Sequence, residues 1–180
     1  ASCGAHGMEY PTLITGGAFW WVEKMFGDGL RLTEQVTVHE FLHQFWYGIV
    51  ANNEFEEAWL DEGLTTYSED RVLSHLFGAA TSMINWWDVT LGGFAVRRAA
   101  YVLSENRNDG TLAMPSFSHW RAGVSLNLSY NKAAVMLTTL ENYLGRETFD
   151  RIIRTYFQRF KFRHPCRHDF RAVANELAGE

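Results

Sequence analysis

β-formers crowd the start of the chain, and helical spacing takes over after it. Residues 8–22 (MEYPTLITGGAFWWV) combine β-branched and aromatic side chains with a Gly16-Gly17 pair, which predicts one or two strands around a turn at those glycines. Gly27-Asp28-Gly29 reads as a loop. A helix is predicted from about 34 to 48, with Thr33 as its N-cap. On it Val36, His39, His43 and Trp46 share one face, while Phe41, Leu42, Phe45 and Ile49 form the side expected to be buried. Asn52-Asn53 ends this helix, and a second one runs from about Glu56 to Phe77, stopping at Gly78. The stretch 79–128 patterns less clearly. A helix covers about 94–104, a turn lies at Asn106–Gly110, and the chain is irregular around Pro115. The last third is helical: about 130–144 up to Gly145, about 147–160, and about 168–178 beyond Pro165. The fold class expected is α+β, mainly α with a small β portion in a strand region of about 5–25.

At 180 residues the chain suffices for one core or for part of a larger one. With 47% hydrophobic and 21% charged residues it is globular rather than disordered. Seven tryptophans suit a large core or a long substrate groove. A net charge of -5 and a pI near 5.8 exclude the basic footprint of a nucleic-acid binder. No apolar run reaches membrane-spanning length. Cys3 and Cys166 form no CxxC pair, which argues against cysteine-held zinc; whether they bridge each other stays open. The abrupt ends, Ala1-Ser2-Cys3 and Ala178-Gly179-Glu180, lead us to expect a chain truncated at both ends, with its compartment open.

The chemistry sits at His39-Glu40-Phe41-Leu42-His43, an HExxH pattern. On a helix, positions i and i+4 lie one turn apart on the same face, so two imidazoles can converge on one ion. The intervening Glu40 can take a proton from a water held at that ion. Hydrolytic zinc sites want three protein ligands and an open position. Glu62, eighteen residues beyond His43, is the candidate third ligand, because that gap lets one helix end and a second return. Gly63 would let the two helices approach closely. Glu69, two turns further on the same face, could accept the free ring N–H of a zinc-bound histidine. HExxH arises by chance in roughly 2% of such chains, and roughly 0.2% when Glu62 is also required. One zinc ion per chain is therefore expected at His39, His43 and Glu62, within metal-site helices spanning about 34–77.

The run from His39 to Tyr67, HEFLHQFWYGIVANNEFEEAWLDEGLTTY, resembles the signature of the aminopeptidase N-like family of gluzincin metallopeptidases. In that family the third ligand lies in a Trp-Leu-Asn-Glu-Gly motif; here it reads Trp59-Leu60-Asp61-Glu62-Gly63, with Asp61 for the usual Asn. A second motif, Gly-x-Met-Glu-Asn, resembles Ala5-His6-Gly7-Met8-Glu9-Tyr10, with Tyr10 in a form associated with bacterial members. By this resemblance Glu9 binds the α-amino group of a substrate and the backbone around Gly7 and Met8 pairs with the peptide. A third segment, Ser129-Tyr130-Asn131-Lys132-Ala133-Ala134, resembles a Tyr-x-Lys-Gly-Ala stretch whose Tyr stabilises the oxyanion, which assigns that role to Tyr130. The tail from Gly145 to Leu177 is similar to the closing helices of the family's catalytic domain.

The resemblance implies a thermolysin-like zincin catalytic domain over 1–180, with C-terminal helices at about 130–178 and flanking domains in the parent protein. It implies a peptide substrate and release of N-terminal amino acids. Two readings stand beside it. One is an endopeptidase or other hydrolase on the same scaffold; the other is a silent zinc-containing binding module, against which an intact Glu40 and Tyr130 both argue.

Overall fold

The computed structural model describes residues 7–17, 20–105, 110–118 and 126–179. They are mainly helical, with two short antiparallel hairpins. The first joins β1 (Gly7–Tyr10) to β2 (Leu13–Gly16), with Gly7 opposite Gly16 and Glu9 opposite Ile14. Its turn falls at Pro11-Thr12 rather than at Gly16-Gly17. Thr12 takes a φ of 65°, unusual for a β-branched residue. Its N–H donates to Gln44 Oε1 at 2.9 Å, and Gln44 Nε2 donates to Tyr10 O at 3.2 Å. One side chain from a distant segment thus holds the turn, which no local pattern encodes.

Trp20–Phe26 forms helix α1 where strand was expected, and a 3-10 turn follows at Gly27–Gly29. Helix α2 spans Leu32–Leu42, shorter than the predicted range, with Arg31 rather than Thr33 at its N-cap. The chain turns back after it: Gly48 N–H donates to His43 O at 2.8 Å, and a Cβ on Gly48 would lie 2.7 Å from Gln44 O. Beyond the turn, Phe162 N–H donates to Ile49 O at 2.7 Å and Ala51 N–H to Arg163 O at 3.1 Å. This docking overrides local helix propensity. It also re-aims the apolar residues. Trp46 and Val50 are buried, whereas Phe41 and Phe45, expected inside, are exposed.

The second predicted helix is three pieces. Helix α3 (Glu54–Glu57) is capped by Asn53, whose side chain accepts from Phe55 N–H at 3.1 Å. A π-helical turn, Trp59–Gly63, leads into α4 (Leu64–Phe77), which ends at Gly78 with φ 89°. A second hairpin, β3 (Ile84–Trp86) with β4 (Val89–Leu91), occupies the poorly patterned stretch and precedes α5 (Gly93–Leu103). Residues 106–109 of the expected Asn106–Gly110 turn lie outside the described residues. A second π-helical turn, Leu126–Lys132, opens into α6 (Ala133–Leu144), closed by Gly145 at φ 82°. Helices α7 (Arg146–Phe160) and α8 (Arg167–Ala178) complete the chain. Cys166 is an exposed free cysteine ahead of α8; Cys3 lies outside the described residues. Among the described residues no helix is long and apolar enough to cross a membrane.

The core lies between α4, α6, α7 and α8, where Leu64, Leu137, Phe149, Ile152 and Tyr156 are essentially solvent-free. Burying each of the four apolar side chains among them, Leu64, Leu137, Phe149 and Ile152, contributes about 1.5–3 kcal/mol. Phe170 meets Trp59 edge-on at 5.9 Å and Tyr156 at 5.1 Å, and Trp46 stacks on Tyr156 at 6.4 Å. These rings fasten the Trp59–Gly63 turn, and the segment after α2, to the C-terminal helices. Trp59 and Leu60 thereby anchor in the core the turn that also carries Asp61 and Glu62.

Gly63 is the tightest joint of this assembly. A Cβ there would lie 2.4 Å from the Ala133 Cβ and 3.2 Å from Ser129 O, although its φ of -72° suits any residue. The constraint is therefore space, not backbone conformation. Gly63→Ala should destabilise the chain by about 1–3 kcal/mol through overpacking. Adding Ala133→Gly should return part of that loss, less the helix penalty of about 1 kcal/mol. Urea unfolding of both variants checks this, and an unchanged midpoint in Gly63→Ala would remove the close approach as a constraint.

Candidate metal centre

Helix α2 brings His39 and His43 one turn apart, His43 being its C-cap residue. Their rings meet edge to face with centroids 4.8 Å apart. His39 Nε2 and His43 Nε2 are 3.2 Å apart, and Glu62 Oε2 lies 3.2 Å from the first and 3.3 Å from the second. Three potential ligand atoms thus form a nearly equilateral triangle.

The opposite ring nitrogens face carboxylates. His39 Nδ1 lies 2.9 Å from Glu69 Oε2, and His43 Nδ1 lies 2.6 Å from Asp61 Oδ1. Asp61 and Glu69 are both buried. A carboxylate can only accept, so each Nδ1 carries a hydrogen, and Nε2 is the nitrogen of each ring left to bind an ion once its own proton has gone. Burial pulls the His39 and His43 pKa values down. Hydrogen bonds to Glu62 and Glu69 outweigh this for His39, raising it to about 9; bonds to Asp61 and Glu62 raise His43 to about 11. Burial likewise raises Glu62, but its hydrogen bonds to the two imidazoles win and hold it down at about 2. Without an ion, protons on the two imidazoles offset the ionised Glu62, and a metal cation would take the place of those on Nε2. Tetrahedral zinc, with bonds of about 2.0–2.1 Å, needs ligand atoms about 3.3–3.4 Å apart. The triangle fits that requirement, so these three residues could hold such an ion.

Glu40, on the same helix, is the buried residue of α2. Burial raises its pKa to about 7, the nearby His39 and His43 pull it down, and Glu9 and Glu62 add to the rise. Strand β1 runs over it so closely that a Cβ on Gly7 would lie 2.1 Å from Glu40 Oε1. Glu9 follows on the same face of β1. Its carboxylate, that of Glu40 and a ring nitrogen of His43 lie within 4.8 Å of one another. Met8 alternates to the exposed face, so only its backbone could meet a ligand beside Glu9. Ala5 and His6 lie outside the described residues.

Tyr130 arrives on the second π-helical turn and stacks on His39 with centroids 5.8 Å apart, its planes 14° off parallel. Its hydroxyl donates to Glu62 Oε1, the oxygen turned away from the imidazoles. Burial first, then the neighbouring Glu62, push the phenol pKa well up, so the group stays a donor. Glu62 and Tyr130 thus both stand on π-helical turns, and Gly63 and Ala133 follow them at the tight joint.

Sequence reasoning missed two contributors. In the sequence Asp61 stands out only as a replacement within its motif, yet it takes the His43 N–H. Arg97, on α5, donates through Nη2 to Glu69 Oε1 at 2.8 Å. The Arg97-Arg98 pair interrupting the otherwise apolar run Gly93–Leu103 is the signal for it, but the partner of Arg97 lies 28 residues away.

Several known proteins are similar to this chain. Leucine aminopeptidase 2-1 of Meyerozyma guilliermondii is 31% identical over 166 residues, covering 87% of this chain and 24% of that protein. Aminopeptidase B of Rattus norvegicus is 28% identical over 170 residues, covering 91% of this chain and 24% of that protein. The chain therefore spans about a quarter of the length of these curated relatives. The M1 zinc metallopeptidase of Deinococcus radiodurans superposes with a TM-score of 0.66 at 19% identity, over 97% of this chain and 34% of that one. The likeness in fold holds despite low identity, and it agrees with the expected mainly helical α+β class. With residues 4–180 matching the description "Peptidase family M1 domain", this chain belongs to peptidase family M1.

Proposed function

We propose that this chain is the catalytic portion of a zinc-dependent aminopeptidase, with one zinc ion held by His39 Nε2, His43 Nε2 and Glu62 Oε2. The observation that carries the reading is the triangle of three potential ligand atoms with edges of 3.2–3.3 Å. The family and the relatives' printed names support it: two are aminopeptidases, and the solved relative is a zinc metallopeptidase. Those relatives are about four times longer, which supports flanking domains in the parent protein.

When bound, zinc supplies Lewis acidity, polarising a carbonyl oxygen and making a water more acidic. The protein's own residues do the rest. Glu40, held near neutrality, takes the proton of the attacking water and hands it to the leaving amine. Tyr130 donates to the carbonyl oxygen as negative charge builds there. Glu9 holds the substrate's ammonium group, and the β1 backbone around Gly7 and Met8 lies alongside the peptide. Glu69 and Asp61 keep the two imidazoles in the tautomer that leaves Nε2 bare.

Elemental analysis should find about one zinc per chain. His43→Ala should lose it and Glu40→Gln should keep it, while turnover of an amino-acid anilide by Glu40→Gln in the intact enzyme falls on the order of 10²–10⁴-fold. Unaltered stoichiometry in His43→Ala would rule out the ligand set.

Tyr130→Phe should lower kcat by about 10²–10³-fold, with zinc content and KM close to wild type. A change confined to KM would make Tyr130 a binding residue instead.

Exopeptidase character rests on Glu9. A free dipeptide amide should be cleaved and its N-acetylated form should not, because acetylation removes the cation that Glu9 pairs with. Glu9→Ala should narrow that preference. Equal cleavage of both substrates by wild type would replace the aminopeptidase reading with an endopeptidase one.

A further inference from the structure

Behind the imidazoles lies a second layer of charge. Glu69 and Asp70 are consecutive residues of α4, and both side chains are buried. Two adjacent buried carboxylates need a cation. Arg97 of α5 supplies it: Nη2 is 2.8 Å from Glu69 Oε1, and Nε is 3.6 Å from Asp70 Oδ1. The remaining Glu69 oxygen, Oε2, meets His39 Nδ1 at 2.9 Å. The guanidinium and the imidazole thus take opposite oxygens of one carboxylate.

The helix carrying Arg97 is itself fixed against α4. A Cβ on Gly93 would lie 2.3 Å from Asp70 Oδ1, so the first residue of α5 sits directly on Asp70. The Gly93 N–H donates to the buried Ser82 Oγ at 3.0 Å. Arg97 follows one turn later and its side chain remains 19% exposed. The guanidinium therefore reaches Glu69 from a helix whose position is set at Asp70.

From this geometry we propose that Arg97 is a positioning residue of the metal centre. It holds the Glu69 carboxylate in the one orientation that accepts the His39 Nδ1 hydrogen, and so keeps His39 Nε2 directed at the ion. The proposal rests on the zinc reading given above. The partners of a metal-ligating histidine typically govern metal affinity by 10–100-fold. Arg97 acts one bond further out, and apart from His39 itself it is the basic side chain that Glu69 meets within bonding distance among the described residues. A charge that merely balanced Glu69 and Asp70 would stabilise the fold with or without metal. A positioning group acts on the ion's surroundings as well.

The test compares wild type, Arg97→Met and Arg97→Lys by zinc competition against a chromogenic chelator and by the absorption spectrum of the cobalt-substituted chain. Circular dichroism melting of the metal-free forms runs in parallel. Arg97→Met should bind zinc about 10-fold or more weakly and give an altered cobalt spectrum. Arg97→Lys, which can still donate to Glu69 Oε1, should recover most of both. If Arg97→Met does not fold, Arg97→Gln, a neutral donor, takes its place with the same expected loss. Wild-type zinc affinity and an unchanged cobalt spectrum in the neutral variant overturn the proposal, even if its metal-free melting temperature falls. A loss in Arg97→Lys as large as in Arg97→Met overturns it too. If wild type itself holds no zinc against the chelator, the metal-site reading fails first, and that result is distinct from an Arg97 effect.

Discussion

Two imidazole nitrogens held 3.2 Å apart, on rings whose other nitrogens are each tied to a buried carboxylate, are the constraint on which this structure turns. Two basic rings this close repel each other, so the arrangement needs support from behind. It comes from Asp61 and Glu69, whose carboxylates take the Nδ1 hydrogens inside the protein. Burying those acids is costly unless they are paired. The fold therefore places a positive or hydrogen-donating group at each: His43 at Asp61, and His39 with Arg97 at Glu69. Much of the middle of the chain follows from this need. Helix α4 presents Glu69, the π-helical turn ahead of it presents Asp61 and Glu62, and α5 is pressed onto α4 at Gly93.

Both π-helical turns serve the same end. A turn with one extra residue shifts the phase of the helix that follows, so residues on either side can face different ways. In the first, Trp59 and Leu60 face the core while Glu62 faces the histidines. In the second, Leu128 is buried in the protein while Tyr130 reaches over His39. The turns are held together where Gly63 meets Ala133. Hydrophobic packing and site geometry are thus set by the same few residues, and a shift in one is felt in the other.

What could be read from the sequence was what local chemistry decides. The i, i+4 spacing of His39 and His43 depends only on helical periodicity. The ends of α4 and α6 depend on Gly78 and Gly145, whose φ angles of 89° and 82° suit glycine. The losses came where distant contacts overrule local preference. Nothing near Leu42 announces that α2 stops there, because the reason is backbone pairing of Ile49 and Ala51 with Phe162 and Arg163. The β3–β4 hairpin was hidden because its turn puts Trp87 at φ 51°, a place where glycine or asparagine is the usual signal. The first hairpin turn depends on Gln44, 32 residues from Thr12. Arg97 belongs to the same class, since its meaning lies in a carboxylate on another helix.

Strand β1 has one more property, a matter of length. Gly7 presses on Glu40, and Glu9, two residues on, shares that face with its carboxylate within 4.8 Å of Glu40's. In an extended peptide the terminal nitrogen lies about 2.5 Å from its own carbonyl carbon, and each further carbonyl lies another 3.3–3.6 Å or so beyond. If Glu9 grips the ammonium group, the first carbonyl falls within reach of a water on Glu40 and the second lies well past it. The strand then works as a ruler one residue long. Which bond breaks would be decided by distance along β1, independently of the side chain the peptide carries.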